Sequence, residues 1–426
     1  MKLPLMSRAR PAKTARCRQT LTFILLASTL LTGTTAFAAV DDATLLKLIA
    51  QVEALTEKVN RLEQRDKELR EENVALRKVA STPAPVNDKL VWAERVKING
   101  DFRYRYENID DAAKSQDRNR SRIRARIDAQ AQVTDDWLVG LGLASGDDDP
   151  VSTNQTLGEG GSSKNINIDQ AYFDWSGIAH THVIGGKFKT PFHRPGDNGL
   201  VWDDDYRPEG LAMTYANGMF FANGAFLYLE SDDKAGAQDA ESIWGTQLGL
   251  NTALSATTRL LFGLSYYNIP VAGSKPFFSG AAFGNSLVTD GANMVYANDY
   301  EQVELFAELA FGVAGLPASV FADWVQNQDA DDNDTGWAIG TKLGAAKNPG
   351  SWQLGYTYQD LEADAVYGLI TDSDFGGGGT NSKGHLIKAT YAVDNNVALA
   401  LAYYMNEVGD LETDFDRLQI DLKFKY

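Results

Sequence analysis

Hydrophobic and polar residues alternate with a period of two through most of the chain beyond Val91. The last ten residues do so without a fault. Leu418, Ile420, Leu422, Phe424 and Tyr426 fall on one face of an extended strand, and Arg417, Gln419, Asp421, Lys423 and Lys425 on the other. Sixteen such segments can be laid out, near 96–107, 118–133, 137–145, 166–175, 181–190, 208–216, 219–230, 242–251, 257–267, 300–311, 317–327, 335–345, 351–361, 383–393, 397–406 and 415–426. Parity names their outward faces: Ile98, Phe102, Tyr104 and Tyr106 in the first, Leu305, Leu309 and Phe311 in the tenth, Leu399, Leu401 and Tyr403 in the fifteenth. An apolar sheet edge is an aggregation hazard in water. Pairing the last segment with the first abolishes the edge, and lipid covers the apolar faces. The pattern predicts an all-β fold, a 16-stranded antiparallel transmembrane β-barrel over residues 92–426. A soluble sandwich would need a second sheet over every apolar face.

The connections support the barrel. Short ones, such as Thr134-Asp135-Asp136, Asn217-Gly218 and Asp394-Asn395-Asn396, alternate with long acidic, glycine-rich ones at 146–165, 191–207, 231–241, 268–299 and 362–382. Short turns on one rim and long loops on the other are the habit of outer-membrane barrels. Trp137, Trp175, Trp244, Trp324, Trp337 and Trp352 recur near segment ends, where interfacial girdles belong. An even strand number leaves both ends of the barrel on the short-turn, periplasmic side.

Residues 39–78 follow a different period. Leu48, Leu55, Leu62, Leu69 and Leu76 recur every seven residues, with Leu45, Val52, Val59, Asp66 and Asn73 at the other seam position. That spacing predicts a coiled coil with leucine at d, and polar Asp66 and Asn73 at a fix register and strand number. The rod, about 50 Å long at 1.5 Å per residue, is a periplasmic α-helical coiled coil that oligomerises the chain or reaches toward the cell wall. A linker at 79–91, with Ser81-Thr82-Pro83-Ala84-Pro85, breaks the helix.

The first 38 residues read as a signal peptide. Lys2, Arg8, Arg10, Lys13, Arg16 and Arg18 precede an apolar stretch, and Ala36-Phe37-Ala38 forms the cleavage signal. The full chain carries 40 basic and 57 acidic residues, net −17. Removing the six leader cations leaves 34 against 57, net −23, which argues against nucleic acid as a partner. The one cysteine, Cys17, leaves with the leader, so the mature chain has no disulfide.

Inward faces carry the candidate chemistry. Arg118, Arg120, Arg122, Arg124 and Arg126 share one face of the second segment, and the first adds Lys97, Arg103 and Arg105 inward. Guanidiniums cannot sit in a dry core without partners. Facing water they make a cationic ladder able to guide anions. The third long loop, 189–210, combines prolines with Asp203, Asp204, Asp205 and Glu209. Folded inward, those acids would oppose the arginines across a constriction. Lys423 and Lys425 are placed near the periplasmic rim, away from the residues that set selectivity. No metal site is expected: Asp329-Ala330-Asp331-Asp332-Asn333-Asp334 lacks the glycine and glutamate of a calcium loop. No cofactor and no enzymatic motif is expected either, because His180, His182, His193 and His385 form no HExxH and no serine sits in G-x-S-x-G.

The segments Val96–Glu107 (VKINGDFRYRYE), Arg118–Ile127 (RNRSRIRARI), Ile168–Trp175 (IDQAYFDW), Gly185–Phe192 (GGKFKTPF) and Trp202–Tyr215 (WDDDYRPEGLAMTY), with the leader, the coiled coil and the terminal aromatic, resemble the proteobacterial putative-porin family of outer-membrane channels. The resemblance spans residues 92–426. It implies a 16-stranded homotrimeric porin, a third loop that narrows the pore, and recognition of Tyr426 during barrel insertion. The expected function is a water-filled channel for passive diffusion of ions and small hydrophilic solutes. Its partners would be outer-membrane lipid, lipopolysaccharide and, through the coil, peptidoglycan. The alternatives are a non-conducting tether or adhesin, and an outer-membrane hydrolase.

Overall fold

In the computed structural model the described residues are 42–80, 93–232 and 240–426. The expected signal peptide and nearly all of the linker lie outside them. The chain divides into two units, Met1–Val86 and Asn87–Tyr426.

Among its described residues the first unit holds one helix, α1 (Asp42–Ala80), which ends two residues beyond the expected coil. Leu55, Leu62 and Leu69 are 62, 63 and 52% exposed. A leucine seam left open on one helix is the surface a coiled-coil partner would cover. Arg61–Glu57 and Arg70–Asp66 pair one turn apart, so seam residue Asp66 is held by its own helix. The side chains of Leu48, Asn73 and Leu76 lie outside the described residues.

The second unit is a closed antiparallel barrel of sixteen long strands: β1 (Val96–Asp111), β2 (Arg118–Gln132), β3 (Trp137–Ser145), β4 (Ile166–Ile178), β5 (Thr181–Lys187), β6 (Glu209–Ala216), β7 (Phe220–Glu230), β8 (Glu241–Ala253), β9 (Arg259–Ile269), β10 (Tyr300–Val313), β11 (Leu316–Asn327), β12 (Thr335–Gly344), β13 (Trp352–Leu361), β14 (Ser382–Asp394), β15 (Val397–Val408) and β16 (Thr413–Lys425). Each pairs with its sequence neighbour. β1 closes on β16 with Phe102 opposite Phe424 and Arg105 opposite Asp421. Short strands, Gln155–Thr156 and the hairpin Leu287–Asp290 with Asn293–Tyr296, ornament the loops.

Parity decides the faces. Ile98, Tyr104, Leu305, Leu354 and Leu399 are exposed on the outside, while Arg103, Arg105, Glu304, Gln359 and Asp421 are buried inside. Trp137 and Trp175 pack 6.1 Å apart at the short-turn rim, and Trp244, Trp324 and Trp337 lie toward the other. The largest shortfall against the expected segments is at 181–190. β5 stops at Lys187, because Phe188 and Phe192 turn inward and bury.

The hydrophobic core sits inside the barrel rather than between layers. Phe192, Leu200, Trp202 and Tyr206 of loop 188–208 pack with Tyr367 and Ile370 of loop 362–381. They rest on inward Leu227, Ile243, Tyr267, Tyr300 and Val325 from β7–β11. These two loops, with Val271 and Tyr296 of the loop 270–299, thereby fill one sector of the lumen. The sector lined by β1, β2 and β14–β16 is polar apart from the small cluster of Phe375, Leu386 and Tyr404.

Candidate functional site

The arginine ladder is built by register. On β1 and β2, Asp101 faces Arg126, Arg103 faces Arg124, Arg105 faces Arg122 and Glu107 faces Arg120. Across the closure, Arg103 faces Lys423 and Glu107 faces Gln419. The ladder is therefore an ion-pair lattice. Arg105 grips Asp421 with two bonds, Nε to Oδ1 at 2.7 Å and Nη2 to Oδ2 at 3.0 Å. Arg120 donates to Glu107 at 2.6 Å. Arg124 and Arg126 both reach Asp101, at 3.1 and 2.8 Å. Arg122 has only a distant contact with Glu107, at 3.8 Å.

Loop 188–208 crosses from one wall to the other. On the far wall the His193 amide donates to Gln247 of β8 at 2.7 Å, and the Gly196 amide to Glu308 of β10 at 3.0 Å. Asn198 donates to Asp323 of β11 at 3.0 Å, and Lys342 of β12 pairs with Asp197. On the near wall Asp205 accepts from Arg126 at 3.0 Å and Arg124 at 3.3 Å. Burial opposes ionisation of Asp205, yet Arg124 and Arg126 hold its carboxyl below the ordinary range.

The four acids expected to oppose the arginines part company. Asp205 alone pairs with the ladder. Asp203 turns to the neighbouring loop, accepting from the Ser373 amide at 2.8 Å. Burial and then the adjacent Asp372 push its carboxyl up. Asp204 is exposed and pairs with Arg194. Glu209 corrects the inward assignment: it shares the outward face of β6 with Leu211 and Met213 and pairs with Lys187 at 2.9 Å. Parity decides this, because Ala212 between them is buried inside.

Loop 362–381 also belongs to the site. It meets loop 188–208 through Asp203 N to Ile370 O at 2.7 Å and Asp372 N to Gly199 O at 3.0 Å. Its Asp374 reaches the ladder, 3.2 Å from Arg105 and 2.8 Å from Arg417. Burial opposes the charge, and Arg105 and Arg417 nonetheless hold the Asp374 carboxyl well below its usual range. Ser373 and Asp374 line two cavities. One of about 370 Å³ lies among Arg118, Arg120, Arg122, Asp149 and Arg417. The other, of about 240 Å³, is lined by Arg103, Arg124, Lys388, Lys423, Asp205 and Asp372. Asp374 thus stands between them. Lys423, assigned to the rim, lines the second cavity because the closure register sets it beside Arg103. Asp101, Glu107 and Asp421 share the parity of Arg103 and Arg105, so that signal was present in the sequence. Nothing local marked Asp374.

A closed barrel of sixteen strands with charged side chains lining an inward sector and two inserted loops is the architecture of an outer-membrane channel. Residues 109–282 and 287–426 match the family described as Putative porin, and the chain belongs to that family. Among solved structures it is similar to OprB of Pseudomonas putida, at 12% identity and a TM-score of 0.55, covering 80% of this chain and 96% of that one. A mutant of Rh. blastica porin aligns at 12% identity and a TM-score of 0.46, over 78% of this chain and all of the other. No curated protein matches the sequence. Family and fold place the barrel in the bacterial outer membrane as a porin channel.

Proposed function

We propose that the protein is a passive channel for ions and small hydrophilic solutes. In this reading the path runs down the polar sector, between the β1–β2–β16 ladder and the edges of loops 188–208 and 362–381. The observation that carries it is the pair of cavities separated by Asp374, since both are lined by charged groups of the ladder. Arg103, Arg105, Arg120, Arg122, Arg124 and Arg126 are the pore-lining residues, with Asp205 and Asp374 opposite them. Purified protein in planar bilayers is expected to give stepwise conductance; sound preparations that never conduct would favour the tether or hydrolase readings instead. Replacing Arg122, Arg124 and Arg126 together with glutamine is expected to shift the reversal potential toward cations, and an unchanged potential would remove them from the path.

The same reading makes the protein a homotrimer with α1 in the periplasm. Two observations support self-association. The leucine seam of α1 is exposed. β5 and β6 have only seven and eight residues. At about 3.3 Å per residue and a tilt near 40°, such strands rise about 18–20 Å, short of the ~25 Å apolar band of an outer-membrane barrel. Their outer face also carries the Lys187–Glu209 pair, which a neighbouring copy would shield from lipid. Deleting residues 42–80 is expected to lower the temperature at which the oligomer dissociates on unheated gels. An oligomer of unchanged stability would make the coil a tether to the cell wall.

A further inference from the structure

We propose that the cavity at the long-loop rim, between the Arg118–Arg122 end of the ladder and loop 362–381, is a binding subsite for phosphate and small phosphate monoesters. The proposal rests on the channel reading above and names the solute class gathered at its mouth.

The first observation is charge. Five cations line this cavity of about 370 Å³: Lys114, Arg118, Arg120, Arg122 and Arg417. Three carboxylates line it with them, Asp111, Asp149 and Asp374. Glu107 lies behind the wall with no exposed surface, and counting it still leaves five cations against four acids.

The pairing of these groups widens the excess. Arg417 lies 2.8 Å from Asp374 and 3.2 Å from Glu107, and Arg120 lies 2.6 Å from Glu107. Asp374 also serves Arg105. The other two acids are engaged by their own loops: Asp111 accepts from the Ala113 amide at 2.9 Å, and Asp149 from the Val151 amide at 3.0 Å. Neither forms an ion pair among the described residues.

Three cations are left with unused donors. The Arg122 side chain keeps 13% of its surface open, its nearest carboxylate oxygen is 3.8 Å away on Glu107, and it makes no hydrogen bond among the described residues. Arg118 and Lys114 are exposed, and their side chains make neither hydrogen bond nor ion pair among the described residues. Arg118 and Arg122 come from the inward face of β2, and Lys114 from the turn 112–117 that precedes it.

The donors define the guest. Two guanidiniums and an ammonium around one space suit an anion whose oxygens point in several directions, and an excess of cations favours more than one negative charge. Phosphate has both properties. The cavity is wide enough for a phosphate ester of a short alcohol with its waters. Lipid meets the opposite face of β2, where Ile127 is exposed, so the guest is a free solute rather than a membrane headgroup.

The test uses the full-length protein in planar phosphatidylcholine bilayers carrying sodium chloride at pH 8. Sodium phosphate and glycerol phosphate are expected to reduce chloride current saturably, and acetate to need about tenfold more at equal ionic strength. Arg122→Gln and Arg118→Gln should each raise the half-blocking phosphate concentration about tenfold, the loss expected for one charge-assisted hydrogen bond. Arg118 holds no partner in the fold, so that variant remains informative should Arg122→Gln fail to assemble. Acetate that blocks as well as phosphate, or a block that both substitutions leave unchanged, would overturn the subsite and leave the channel intact. Current insensitive to phosphate but lowered by added lipopolysaccharide would assign these cations to lipid phosphates and overturn it too. A channel silent in chloride alone would overturn the channel reading and, with it, the subsite.

Discussion

Asp374→Asn is expected to join the two cavities into one and to raise anion over cation permeability several-fold. The carboxylate is shared by Arg105 and Arg417 and closes the space between Arg122 on one side and Arg103 on the other. Removing the charge leaves Arg105 to Asp421 and Arg417 to Glu107 alone, so the loss stays below the roughly 3–5 kcal/mol of a fully broken buried pair. Loop 362–381 then keeps the ladder only through uncharged contacts such as Asp374 O, which accepts from Arg417 at 2.9 Å, and the space loses one negative charge. Single-channel conductance should rise and the reversal potential in a salt gradient should move toward chloride. A conductance and selectivity equal to the parent protein would show that the path does not pass Asp374. Asp374→Glu, which restores the charge on a longer stem, should recover most of the parent selectivity.

Gly196→Val should release loop 188–208 from the far wall. Gly196 has φ of 58°, a left-handed conformation that a β-branched residue rarely adopts. An added Cβ would stand 2.1 Å from the Phe321 ring. Backbone strain alone costs about 1–3 kcal/mol, and the clash adds to it. The amide of Gly196 would then lose Glu308, and Asn198 and Asp197 would follow from Asp323 and Lys342. The expected result is a larger and noisier conductance with a lower unfolding temperature in detergent. Adding Phe321→Ala should relieve the clash and leave the strain, giving partial rescue. A valine variant with the parent conductance would mean the loop does not narrow the path.

The two predictions concern residues of unequal legibility. Arg103, Arg105 and Arg120–Arg126 could be placed on one wall from parity alone, because a strand sends every second side chain to the same face. Their carboxylate partners on the same strands were equally open to that count. Glu209 falls where the expected segment 208–216 overlaps the expected loop 189–210; it begins β6, and the parity of that strand, not the loop, decides its outward face. Asp203, Asp204 and Asp205 are consecutive acids with three different fates, one facing a loop, one water and one the ladder. No local rule separates them, since each follows from what the far end of the chain brings alongside.

Strand number, closure, the outward apolar faces and the heptad seam of α1 were determined by the sequence itself. They are periodic properties, and a period is written in neighbouring residues. The composition of the narrow part was decided only by tertiary structure. Asp374 meets Arg105 across 269 residues, and Lys423 meets Arg103 only because β16 closes on β1 in one register. Loop closure over such distances is settled by the summed burial of Trp202, Tyr367 and their neighbours inside the barrel, and that sum is visible only once the barrel has formed around them.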